Sequence, residues 1–113
     1  MEFACRQLRI EEVIQCSLNL KKSEYKLIEH MIKEKHAITI QDISKKLKLD
    51  RTTVQKMMKR FHEKGLVERY QENLDGGGYI FTYKVKNKDL LKQKIKDIIK
   101  SWYESVNTSV DAW

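Results

Sequence analysis

Apolar residues along this chain recur first at helical spacing, then at strand spacing, then at helical spacing again. Ile10, Val13, Ile14 and Leu18 mark one face of a first helix that stops near Asn19. Leu27, Ile28, Met31 and Ile32 form a stripe for a second helix, with Ser23 as the expected N-cap and an end near Lys35. Thr39 stands three residues before Asp42, a variant of the capping box, and Ile40, Ile43 and Leu47 then line a short helix of barely three turns. Asp50 caps a longer helix in which Val54, Met57, Met58 and Phe61 fall at i, i+3, i+4 and i+7, closed by Gly65 as the C-terminal glycine. Only Lys48 to Asp50 separates these two helices, the spacing of a helix-turn-helix.

After Gly65 the period changes to two. Leu66 to Glu72 and Tyr79 to Val85 are β-rich runs around Asn73-Leu74-Asp75-Gly76-Gly77-Gly78, which predicts a hairpin. Tyr79, Phe81, Tyr83 and Val85 share one face, spaced as core residues are; Ile80, Thr82, Lys84 and Lys86 share the other. The three glycines join strand to strand and lack the Gly-Lys-Ser/Thr ending of a phosphate-binding loop, so nucleotide binding is not expected. Leu91, Ile95, Ile98 and Trp102 then recur at 4-3-4 spacing, and Ile99, Val106, Val110 and Trp113 extend the apolar surface nearly to the last residue. So apolar a helix face has little remaining chain to cover it. Self-association as a homodimer is the economical reading, with Leu91, Ile95, Ile98, Ile99, Trp102 and Val106 at the interface.

The fold expected is mainly α with a β-hairpin wing (α+β): a winged helix-turn-helix flanked by N- and C-terminal dimerisation helices. One domain is expected over residues 1–113, divided into an N-terminal helix (1–20), the winged helix-turn-helix (21–86) and a C-terminal dimerisation helix (87–113).

Charge adds a partner class. The 113 residues carry a net +7, and all of the excess falls in residues 21–64, which alone sum to +7; residues 44–64 hold eight Lys or Arg against Asp50 and Glu63. So local an excess points to a polyanion rather than to a generally solvated surface. On the helical wheel the apolar stripe of the fourth helix spans about 100°, and the opposite face presents Thr52, Gln55, Lys56, Lys59 and Glu63, with Arg60 at its edge. Gln can pair with adenine, Lys or Arg with guanine, and Thr can touch a thymine methyl, all in a major groove wide enough for a helix. Arg51, Thr52, Thr53, Gln55 and Lys56, nearest the helix N-terminus, are the base-reading candidates. Lys59 and Arg60 are candidates for backbone phosphate, together with Lys45, Lys46, the wing-tip glycines Gly76 and Gly77, and Lys84.

The run from Ile40 to Gln55, followed by Glu63-Lys64-Gly65-Leu66-Val67-Glu68-Arg69, resembles the winged helix-turn-helix of MarR-type and TrmB-type transcriptional regulators over residues 20–86. The sequence Gly76-Gly77-Gly78-Tyr79 before an aromatic strand, and Trp102-Tyr103-Glu104 in the last helix, resemble small TrmB-like regulators of archaeal type. The acidic-arginine signature of MarR wings is missing. The resemblance implies a homodimeric activator or repressor on a pseudo-palindromic double-stranded DNA operator. Two such helices on a two-fold dimer would read half-sites one helical turn, roughly 34–36 Å, apart.

Other classes find less support. His30, His36 and His62 are scattered and no serine sits in a nucleophile motif, so an enzyme is not expected. Neither a metal nor another cofactor is expected, because Cys5 and Cys16 have no ligand spacing with each other. If one helix ran from Cys5 to Cys16 the two would lie about 16 Å apart, too far for a bridge within the chain. They are expected as small hydrophobes near the dimer core. No apolar run is long enough to span a membrane and no signal peptide is visible, so the expected location is cytoplasmic. A non-specific architectural DNA-binding protein is the alternative. An RNA-binding winged helix is disfavoured because the wing aromatics are spaced as core residues.

Overall fold

Capping residues set the element boundaries. The computed structural model describes residues 1–85 and 87–113, so Lys86, expected on the outer wing face, lies outside the described residues. The described chain divides into two units, residues 26–88 and residues 1–25 with 89–113.

In the unit of residues 26–88, helix α3 (Ile40–Leu47) begins where the Thr39 hydroxyl accepts from the Asp42 N–H at 3.1 Å. Helix α4 (Arg51–Glu63) begins where the Asp50 carboxylate accepts from the Thr52 N–H at 3.1 Å. Both caps are the expected ones. With eight residues, α3 makes little more than two turns. The intervening turn is closed by Lys48, a non-glycine residue at φ 53°, followed by a Leu49 N–H to Ser44 carbonyl bond of 3.1 Å. At the far end of α4, Gly65 takes φ 72°; its N–H reaches the His62 carbonyl at 3.0 Å and the Leu66 N–H reaches the Phe61 carbonyl at 2.9 Å. This is the Schellman arrangement, with Leu66 and Phe61 both buried as its apolar pair. Replacing Asp50 with Ala is expected to cost about 1 kcal/mol, read as a fall of about 4–8 °C in the melting temperature. A change under about 1 °C would show that the carboxylate contributes nothing to the helix start.

The wing is more than a hairpin. β4 (Val67–Asn73) and β5 (Tyr79–Val85) pair antiparallel from Val67 opposite Val85 to Asn73 opposite Tyr79. On the other edge of β5 a two-residue strand β3 (Ile38–Thr39) adds Ile38 opposite Tyr83 and Thr39 opposite Thr82, so β5 is central. The core collects Leu27, Ile28 and Met31, then Ile43, Val54, Met58 and Phe61, closed by Leu66 and Val67.

Two expectations about the wing change. Thr82, assigned to the outer face, is buried, because β3 flanks its strand on one side and β4 on the other; its hydroxyl has no hydrogen-bond partner among the described residues. The aromatic face, expected as core along its length, is core only at its root. Tyr83 and Val85 are buried, Phe81 is half-buried and Tyr79 is 55% exposed.

Helix α2 (Lys22–Ile32) starts one residue before the expected cap Ser23. The buried Glu24 carboxylate accepts the Lys21 N–H at 2.8 Å instead, the reciprocal half of a capping box. The helix ends at Ile32 rather than near Lys35. Lys33 and Glu34 donate to His30 and Met31 at i−3, a tightened last turn.

In the other unit, helix α1 (Ile10–Leu18) is the expected one, stopped by Asn19 at φ 53°. A small ribbon precedes it. β1 (Glu2–Phe3) pairs with β2 (Arg6–Gln7), so the stretch 1–20 is not wholly helical and no helix joins Cys5 to Cys16. Both thiols are exposed in the single chain. Helix α5 (Lys88–Ala112) provides the long terminal helix. No helix among the described residues is long and apolar enough to cross a membrane.

Candidate nucleic-acid interface

The alternation of buried and exposed positions in α4 follows from its 3.6-residue period. Val54, Met57, Met58 and Phe61 are buried, which turns Arg51, Thr52, Thr53, Gln55, Lys56 and Lys59 outward, all exposed, with Arg60 half-buried. Four of these expected site residues, Thr52, Gln55, Lys56 and Lys59, line one concavity of about 520 Å³. Its opposite wall is the inner face of the wing root: Arg69, Phe81 and Tyr83. His62 and Glu63 complete the lining, so one carboxylate faces two lysines and an arginine.

Arg69 and Phe81 are the functional candidates that sequence reasoning passed over. Arg69 lies opposite Tyr83 in the ladder, two residue pairs from Phe81, and its guanidinium sits over the Phe81 ring at 4.4 Å from the centroid. Phe81 also meets Tyr79 edge-on, with centroids 5.3 Å apart. The available signal was the strand period itself. Arg69 shares the face of Val67 and Gln71, and hence of Phe81, through the pairing register.

The other expected contacts are distributed around this surface. Lys45 and Lys46 lie exposed on α3, and Lys46 Nζ is held 3.0 Å from Glu34 Oε1. That hydrogen bond keeps the Glu34 carboxyl below the usual carboxylate range; His30 Nε2 is 3.4 Å from the same oxygen. Lys46 is therefore a cation that would have to leave a carboxylate to reach a phosphate. Lys84 lies on the outer face of the sheet, opposite Glu68, in a separate concavity with Glu34, Glu68 and Tyr70. The sheet separates it from α4. In that concavity the Tyr70 hydroxyl donates to the Glu68 carboxylate, which raises the phenol above its ordinary pKa. Gly76 and Gly77 are at the exposed tip, where a side chain would meet nothing within 4 Å, so space does not demand glycine there. Gly77 and Gly78 instead supply the turn, at φ 95° and 78°.

Electrostatics divide the wing. Between Arg69 and Lys84 there is no Lys or Arg, while Glu72 and Asp75 occupy its distal half. The positive surface is therefore the outward side of α4 with the wing root, not the wing tip. No group of three or more His, Cys, Asp or Glu among the described residues could hold a metal ion.

Three solved structures place this geometry among known folds. A possible transcriptional regulator from Methanosarcina mazei Go1 is 38% identical, with a TM-score of 0.93 over 100% of this chain and 95% of that one. A MarR family protein from Bacillus stearothermophilus is 14% identical, with a TM-score of 0.55 over 91% of this chain and 68% of that one. The S. aureus MepR–DNA complex gives 14% identity and a TM-score of 0.60 over 89% and 82%. The winged helix-turn-helix expected from the sequence is the fold found, and its likeness to the two bacterial proteins is one of fold. A model of the DnaD N-terminal domain matches residues 9–106, nearly the full length, and the chain belongs to that family.

Proposed function

We propose that this protein is a sequence-specific double-stranded DNA-binding transcriptional regulator that acts as a homodimer on a pseudo-palindromic operator, with α4 in the major groove. The observation that carries the reading is the row Thr52, Gln55, Lys56 and Lys59, outward, exposed and lining one concavity in the most basic stretch of the chain. Uncharged hydrogen-bonding groups interleaved with lysines suit base edges bordered by phosphates better than a uniform cationic surface does. The M. mazei relative, described as a possible transcriptional regulator, and the DNA-bound state of the MepR complex support the same direction. Arg51, Thr52, Thr53, Gln55 and Lys56 are assigned to bases; Lys45, Lys59 and Arg60 to backbone.

Selection of bound fragments from genomic DNA, at low and near-physiological salt, tests this directly. Recovery of a palindrome that persists at the higher salt supports the regulator. Unselective binding that disappears with salt would instead make this an architectural protein. On the selected site, Gln55→Ala is expected to relax base preference at one position, at a cost of about 1–3 kcal/mol. Lys59→Ala is expected to weaken all duplexes alike and to lower the salt slope by about one unit. Equal losses from both variants on every sequence would overturn this division of roles.

A further inference from the structure

We propose that Arg69, stacked on Phe81 at the wing root, is a phosphate-binding residue that holds the DNA strand running between α4 and the wing. The inference rests on the reading of α4 as the major-groove helix. If α4 lies in that groove, the wall facing it across the concavity lies against the sugar-phosphate strand at the groove's edge. Arg69 is the one Lys or Arg on that wall.

Three observations single it out. Its guanidinium is exposed and lies within 4 Å of no carboxylate among the described residues, so no ion pair competes for it. Its contact is the Phe81 ring, 4.4 Å below. A guanidinium whose contact is a ring rather than a carboxylate leaves its N–H groups to other acceptors, and that fork matches two phosphate oxygens. The remainder of the wing offers no rival, because its distal half carries Glu72 and Asp75 and no cation, and Lys84 is on the far face. Phe81 is accordingly a positioning residue. Its half-exposed ring, edge-on to Tyr79, restricts the arginine to one orientation before DNA arrives.

The test is fluorescence anisotropy with a labelled mixed-sequence 24-base-pair duplex across a series of KCl concentrations, on the full chain. R69Q is expected to weaken binding by about tenfold and to reduce the salt slope by about one unit, the signature of one lost phosphate contact. R69K should keep the slope and lose affinity, because the charge remains while the fork does not. F81L should do the same by another route, keeping the slope but binding about threefold more weakly, since the charge stays and its positioning is lost. R69Q with wild-type affinity and slope would overturn the phosphate site, and F81L indistinguishable from wild type would overturn the positioning role. Failure of the wild-type protein to bind the duplex at any salt would overturn the reading of α4 instead. Tighter binding of a single-stranded 24-mer, lost in F81L but not in R69K, would show that the ring stacks a base and would overturn the arrangement. Arg69 is exposed, so circular dichroism of R69Q should match wild type; a misfolded R69Q leaves R69K and F81L to decide.

Discussion

Phe61→Ala is expected to destabilise the winged-helix unit by about 3–5 kcal/mol. Phe61 is fully buried and heads the set of largest buried side chains, in the company of Met58 and Val54 on the same face of α4. It has a second role in the same turn. Its carbonyl accepts from Leu66, and its ring belongs to the apolar pair that closes the helix before the wing begins. Truncation therefore removes a ring from the core and loosens the helix end that aims β4. A domain of this size has about 5–15 kcal/mol of stability in total, so the variant should lose about a fifth or more of it. Urea denaturation, read by tyrosine and tryptophan fluorescence, gives the difference. Glu29→Ala, at an exposed position on α2, is the control and should stay within about 0.5 kcal/mol. A loss below about 1 kcal/mol for Phe61→Ala would mean that the core closes over the missing ring and that α4 is held elsewhere.

What the sequence disclosed about this fold depended on how local the responsible interaction is. Thr39, Asp50 and Gly65 act on backbone groups within three residues of themselves, so their residue type alone marks the ends of α3 and α4. Ser23 misled for the complementary reason. Its type suits a cap, but Glu24 reaches back to the Lys21 N–H and starts α2 earlier. Strand β3 was illegible, since two residues have no period and Ile38–Thr39 becomes a strand only because β5 offers an open edge. The same strand is why Thr82 is buried against its pattern. The aromatic alternation of β5 correctly placed Tyr79, Phe81, Tyr83 and Val85 on one face, but alternation reports direction and not depth. Only the root of that face is buried; from Phe81 outward it becomes accessible surface. The candidate site follows the same rule. Its α4 half is a helical wheel and could be read directly, whereas the Arg69–Phe81 half exists only through the β4–β5 register.

The exposed apolar face of α5 leads to the other large effect, on association. Trp102 is 60% exposed, and Val106, Val110 and Trp113 continue its face, with Ser105 and Ser109 giving a shallow concavity of about 350 Å³ between them. Of the expected dimer residues, Leu91 is buried in the chain itself and Ile95 and Ile98 are half-buried, which leaves Ile99, Trp102 and Val106 as the exposed ones. Trp102→Ala combined with Val106→Ala is therefore the sharper test of the homodimer. Because both side chains are exposed in the single chain, their truncation should alter its own stability by no more than about 0.5 kcal/mol. In a two-fold interface each change counts twice. A buried tryptophan at the centre of an interface is worth about 2 kcal/mol or more, so the dimer should weaken by at least about 4 kcal/mol, roughly a thousandfold in its dissociation constant. Sedimentation velocity across a concentration series should show a dimer for the wild type and a monomer for the variant. Palindromic duplex should then be bound about a hundredfold or more weakly, while a single half-site is bound unchanged, because only the effective concentration of the second α4 has been lost. A variant that still sediments as a dimer would place the interface away from this face. A wild-type monomer would remove the two-fold operator altogether and leave each α4 to bind alone.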